Sequence, residues 1–174
     1  MPLTSEQQQI ADSAADLLGR QADSAAVRAA IAQGGFDPAL WQQVAGLGWC
    51  GVHLPEPCGG LGLGLAELCV LAEALGRHLA PVPWFETAVL AGQALAASAG
   101  ATGAAGGAPL LAAWLQGLAE GRCRATLSFG DDGPRWTNRH AALQATTTAA
   151  GWQLDGLSAP LPGAAVADLW LLTA

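Results

Sequence analysis

The chain has 174 residues, 52% of them apolar and only 12% charged, with 23 Gly and 10 Pro. That much apolar surface offsets the entropy of ordering and excludes disorder as the main state. Seven basic against 14 acidic residues give a net charge of −7, with no Lys and no Tyr. This excludes a nucleic-acid or anionic-membrane surface and any Lys or Tyr catalysis.

Helical signals come first along the chain. Thr4 with Gln7 three residues on has the form of a capping box, and Ile10, Ala14, Leu17 and Leu18 mark one helical face. A short helix follows over 24–33, with Val27, Ala30 and Ile31 inward and a stop at Gly34-Gly35. Asp37-Pro38 supplies an N-cap and a first-turn proline for a helix whose face is Leu40, Trp41, Val44 and Leu47. Residues 48–62 hold two prolines and five glycines, which forbids a regular helix and predicts an ordered loop. Leu65, Leu68, Cys69, Ala72 and Leu75 mark the next helix, ending at Gly76-Arg77, and two more are predicted over 85–97 and 109–119. The uncharged stretch 87–119 is broken by Gly100, Gly103, Gly106, Gly107 and Pro109, so no apolar run nears the roughly 20 residues of a membrane span.

The pattern changes after Gly121. Strands are predicted over 124–129, 141–148, 152–157 and 166–173, the middle two forming a hairpin around Ala149-Ala150-Gly151. The fold class is therefore α+β: an all-helical domain over 1–120, then part of an antiparallel β-domain over 121–174 with an open sheet edge. The four cysteines do not form a disulfide framework, and Met1 to Glu6 has neither a basic nor an apolar leader segment. A reduced, cytoplasmic protein is expected.

Residues that suggest chemistry also have simpler readings. Cys50, His53, Cys58 and Cys69 have irregular gaps that suit buried thiols and a loop imidazole better than a metal site. Gly60-Leu61-Gly62-Leu63-Gly64 is followed by Leu65 where a dinucleotide fingerprint needs its third glycine. No nucleophile, base and carboxylate stand in a recognisable order. Asp131-Asp132 suits a turn, and Trp41 and Trp114 suit helical cores.

Taken as an ordered series, however, the motifs resemble the acyl-CoA dehydrogenase family. The series comprises Leu40-Trp41, Leu47-Gly48-Trp49-Cys50-Gly51 and the loop Leu54-Pro55-Glu56-Pro57-Cys58-Gly59-Gly60-Leu61-Gly62. It continues through Glu73-Ala74-Leu75-Gly76-Arg77, Ala80-Pro81-Val82-Pro83, Leu110-Leu111 and Gly117-Leu118-Ala119-Glu120-Gly121. Gly151-Trp152-Gln153-Leu154-Asp155-Gly156, Pro162-Gly163-Ala164 and Ala167-Asp168 complete it.

The resemblance implies an FAD-dependent oxidoreductase of lipid metabolism that removes two hydrogens from the α and β carbons of an acyl-CoA. It assigns acyl-chain contacts to Trp84, Thr87 and Leu90, and cofactor contacts to Phe129, Gly130 and Asp131. It assigns no catalytic residue and no metal. Gly130 and Asp131 replace a Thr and a Glu of the family pattern, and Ser158-Ala159-Pro160-Leu161-Pro162 replaces a later flavin-facing element. These departures predict a weakened FAD cradle and admit a second reading, a non-catalytic partner subunit. Homo- or hetero-oligomers with similar chains are expected, as is a partial copy of a longer family chain. Because none of Glu56, Glu67, Glu73, Glu86 or Glu120 carries a base motif, the chain alone is expected to be inactive.

Overall fold

In a computed structural model, residues 2–101, 108–128, 143–158 and 160–174 are described. Helix α1 (Ser5–Gln21) begins at the capping box: Thr4 Oγ1 accepts from the Gln7 N–H at 3.2 Å, and Gln7 Oε1 accepts from the Thr4 N–H at 3.0 Å. Asp23 and Asp37 cap α2 (Ser24–Ala32) and α3 (Pro38–Gly46) through their carboxylates. Glu67 Oε2 accepts from the Gly64 N–H to start α4 (Leu65–Arg77), while Glu67 Oε1 accepts from Gln7 Nε2 on α1. These two helices pack through Ala14, Leu17 and Leu18 against Leu68, Leu71 and Leu75. Full burial of each leucine contributes about 1.5–3 kcal/mol.

The predicted helical faces are wider than the observed ones. Ile31 is 65% exposed, because the nine-residue α2 reaches the core only through Val27 and Ala30. Leu47 is 47% exposed, since it lies past the last turn of α3, where helical periodicity no longer places it. On α4 the buried stripe is Leu68, Leu71 and Leu75, which leaves Cys69 and Leu65 exposed.

The loop between α3 and α4 holds two single 3₁₀ turns, Trp49–Gly51 and Glu56–Cys58, and then folds back on itself. Leu61, Gly62 and Leu63 donate their N–H groups to the carbonyls of Gly51, Leu54 and Val52. Gly60 sits inside this fold, where a Cβ would lie 2.0 Å from the Leu54 carbonyl oxygen.

The helix predicted over 85–97 starts as a π-helix (Phe85–Ala91), with the Gly92 N–H bonded to the Thr87 carbonyl, and continues as α5 (Gly92–Ala101). Helix α6 (Ala108–Ala119) packs against α5 and carries Leu115 and Leu118 into a second core with Leu54, Ala91 and Leu95. The strands are β1 (Ala125–Leu127), β2 (Leu143–Thr148), β3 (Gly151–Gly156) and β4 (Leu169–Leu171). Strands β1 and β4 are shorter than predicted, β3 keeps its predicted length one residue earlier, and Val166 closes a 3₁₀ turn instead of opening a strand.

The α+β segregation and the β2–β3 antiparallel hairpin agree with the sequence reading. The fourth strand differs, because β4 pairs with β1 in parallel, Ala125 opposite Leu169 and Leu127 opposite Leu171. The long connection after β1, which contains the hairpin, lets β4 return in the same direction as β1.

Gly60→Ala should lower stability by more than about 2 kcal/mol, because its Cβ meets backbone that has no room to yield. Gly76→Ala, in open space on α4, should raise it by up to about 1 kcal/mol. Urea unfolding of both variants measures the contrast.

Candidate substrate and cofactor seam

The helical and β parts of the chain meet where the π-helix lies against β1. A parallel strand alternates its backbone groups between two sides. Arg124 and Ser128 face β4: the Leu169 N–H donates to the Arg124 carbonyl, and the Ser128 N–H to the Leu171 carbonyl. The intervening Ala125 is served from the opposite side by Thr87. Thr87 Oγ1 accepts from the Ala125 N–H at 3.1 Å and donates to the Ala125 carbonyl at 3.2 Å. Thr87 is 0% exposed, and one hydroxyl there substitutes for a neighbouring strand.

Two further contacts set the position of β1. The Arg124 guanidinium donates to both Asp168 carboxylate oxygens, at 2.9 and 3.0 Å, and the Arg124 N–H donates to one of them at 2.9 Å. The same guanidinium lies 5.1 Å from the centre of the Phe36 ring, tying β4 to the α2–α3 connection. These hydrogen bonds hold the Asp168 carboxyl below its ordinary range and raise Arg124. On the helical side, buried Trp84 donates its indole N–H to the Trp49 carbonyl at 3.0 Å, locking the π-helix to the glycine loop.

Beyond Ala125 the strand turns polar. Thr126 Oγ1 donates to the Pro162 carbonyl at 2.7 Å, and the Ser128 and Ser158 hydroxyls lie 2.9 Å apart. The residues leading into 129–131 are thus joined to the 158–162 segment, the two stretches that depart from the family's flavin-facing pattern. Phe129, Gly130 and Asp131 themselves lie outside the described residues. In the described part of this seam Ser128 is paired to Ser158 and Thr126 is held by Pro162.

The three residues expected at the acyl site share one helical run but not one environment. Trp84 and Thr87 are fully buried and bonded to neighbouring backbone, whereas Leu90 is half-buried and belongs to neither hydrophobic core. Thr126, Ser128 and Ser158 escaped the sequence reading. The alternation of Arg124, Thr126 and Ser128 signals one polar strand face, but their partners stand 30 to 44 residues further on.

Three of the five glutamates considered as bases have structural partners. Glu67 caps α4, Glu73 pairs with Arg77, and Glu120 pairs with Arg122 and Gln116. Hydrogen bonding lowers both Glu67 and Glu120, the opposite of the tuning a general base near neutrality requires. Burial pushes the Cys50 thiol up to about 12 and, with Asp168 adding, the Cys123 thiol up to about 11. Both therefore remain protonated and unreactive near neutrality. Among the described residues, no three His, Cys, Asp or Glu side chains converge to hold a metal ion, and no helix is long and apolar enough to cross a membrane.

The family model for the acyl-CoA dehydrogenase N-terminal domain matches residues 4–122, so the chain belongs to the acyl-CoA dehydrogenase family. Acyl-CoA dehydrogenase IpdE2 of Mycobacterium tuberculosis is 38% identical over 96 residues, covering 54% of this chain and 30% of that protein. Among solved structures, a Tcur3481-Tcur3483 steroid ACAD variant superposes with a TM-score of 0.77 at 34% identity, over 94% of this chain and 43% of that one. The ChsE4-ChsE5 complex from Mycobacterium tuberculosis gives a TM-score of 0.78 at 25% identity, over 98% and 44%. The chain spans about a third of the length of the curated relatives it matches, 30% of IpdE2 and 34% of FadE27.

Thr87→Val should cost about 2 kcal/mol, because it leaves the buried Ala125 N–H and carbonyl unpaired, while Thr87→Ser should retain most of the stability. Faster hydrogen exchange at the Ala125 amide in the valine variant alone reports the loss at its source.

A folded carboxyl held below its unfolded value stabilises above the unfolded pKa of about 3.9 and loses that contribution as pH falls through the folded pKa. Asp168→Asn should therefore cost about 1 kcal/mol at neutral pH and nothing in strong acid, read from urea midpoints across pH.

Proposed function

We propose that this chain is the acyl-holding portion of an FAD-dependent acyl-CoA dehydrogenase-like protein acting on the α and β carbons of an acyl-CoA thioester. One observation carries the reading: the Thr87 hydroxyl couples the helix assigned to the acyl chain to the strand that runs into Phe129, Gly130 and Asp131. Leu90 supplies acyl contact, while buried Trp84 and Thr87 hold the wall in place. Dehydrogenation needs a base beside the α carbon and donors on the thioester oxygen, and FAD would accept the β hydride. Glu67 acts as a helix cap and Glu73 and Glu120 are held in ion pairs, and Glu56 and Glu86 carry no base motif, so this reading assigns the base to another part of the assembled protein.

A second reading makes the chain a non-catalytic subunit that shapes the acyl site of a related chain. The closed Ser128–Ser158 pair favours it, and so does the similarity to ChsE4-ChsE5, which is a complex. Both readings place the chain in homo- or hetero-oligomers with acyl-CoA dehydrogenase-like chains.

The mass-verified 174-residue chain, with added FAD and acyl-CoA, should show no turnover; measurable turnover overturns the assignment of the base to another part. Acyl-CoA binding with stoichiometric flavin absorbance supports the first reading, and acyl-CoA binding without flavin supports the second. Leu90→Trp should weaken long-chain acyl-CoA binding about tenfold by filling the wall, with short thioesters little affected. Equal affinities across chain lengths would remove Leu90 from the acyl contact.

A further inference from the structure

Helix α5 is made almost wholly of small residues: between Gly92 and Ala101 only Gln93 and Leu95 have side chains longer than serine's. Leu95 is buried in the second hydrophobic core with Ala91, Leu115 and Leu118. Gln93, two residues earlier, points about 200° away around the helix. Its Nε2 is buried without a hydrogen-bond partner, the one such side-chain atom among the described residues. An unpaired buried amide donor costs about 1–3 kcal/mol, a cost that an acceptor oxygen brought beside it would relieve.

The surroundings of Gln93 indicate what kind of partner. Leu90, one turn earlier, and Ala94, the next residue, are half-buried like Gln93, and none of the three belongs to either core. Beyond them Ala97 is exposed, so the face from Leu90 onward narrows to small side chains beside a single long amide. The preceding π-helical turn offsets α5 from the α-helical register that a continuous helix would have kept.

We propose that Gln93 is a specificity residue of the acyl site, donating from Nε2 to an oxygen at the distal part of the acyl group. The substrate class is then an acyl-CoA whose acyl moiety carries a distal carbonyl or hydroxyl rather than a plain hydrocarbon tail. This inference rests on the reading of the Trp84-to-Leu90 helix as the acyl wall.

The test compares equal-length acyl-CoA thioesters, a hydrocarbon parent and a panel with one carbonyl moved through the distal positions, by calorimetric titration of the full chain. The wild type should bind one oxo thioester tenfold or more better than the parent. Gln93→Met should bring that ratio to about one while keeping the parent's affinity, and should raise the melting temperature of the unliganded chain by removing the unpaired donor. Equal binding of all thioesters by the wild type, or a preference that survives in Gln93→Met, overturns the inference and leaves the acyl wall standing. A melting temperature unchanged or lowered in Gln93→Met also overturns it, since the amide is then satisfied by buried water. Failure of the wild type to bind any thioester removes the acyl-wall reading itself, and the inference with it.

Discussion

The Thr87 hydroxyl resolves a problem that the topology creates. Among the described residues strand β1 has one strand neighbour, β4, and its opposite edge runs through protein rather than water. A buried N–H and C=O on that edge would each carry a desolvation penalty. One hydroxyl can donate and accept at once, so Thr87 satisfies both groups of Ala125 from a helix where no strand is available. The helical and β parts are joined through this contact, and the polar strand end at Thr126 and Ser128 takes its place from it.

Side-chain donors to distant carbonyls reinforce the same junction. Trp41 donates its indole N–H to the Gly121 carbonyl at 2.9 Å, fixing the chain as it leaves α6 toward β1. Gly121 has a φ of +67°, and a Cβ there would come within 2.3 Å of the Ala45 Cβ, so both backbone shape and space require glycine. Trp84 performs the equivalent task for the loop at Trp49. Each indole buries a large apolar ring while its N–H closes an irregular segment, which lets glycine-rich connections hold one conformation. Arg124 adds a fork to Asp168 and a cation–π contact to Phe36, so a single side chain spans three segments.

The candidate site was legible in part. The helix after Pro83 emerged from the motif series, but resemblance does not separate side chains that face a ligand from those that hold the wall. Trp84 and Thr87 are anchors by burial and hydrogen bonding, leaving Leu90 as the proposed contact on that run. The hydroxyl seam of Thr126, Ser128 and Ser158 was not legible, because the alternation at 126 and 128 marks a polar strand face without naming the partners it meets. Its meaning arises only when 126 and 128 meet 162 and 158 in space.

By itself the sequence determined the helical first part and its caps at Thr4 and Asp37, the break at the prolines and glycines of 48–62, and the β2–β3 hairpin. All of these are set by interactions between residues near in the chain, where spacing and side-chain chemistry suffice. Tertiary structure decided which side of each helical stripe reached the core, the π winding of Phe85–Ala91, the parallel β1–β4 pairing and the orphaned amide of Gln93. Those depend on contacts across tens of residues, and neither periodicity nor propensity encodes which backbone groups are left to be paired once distant segments pack.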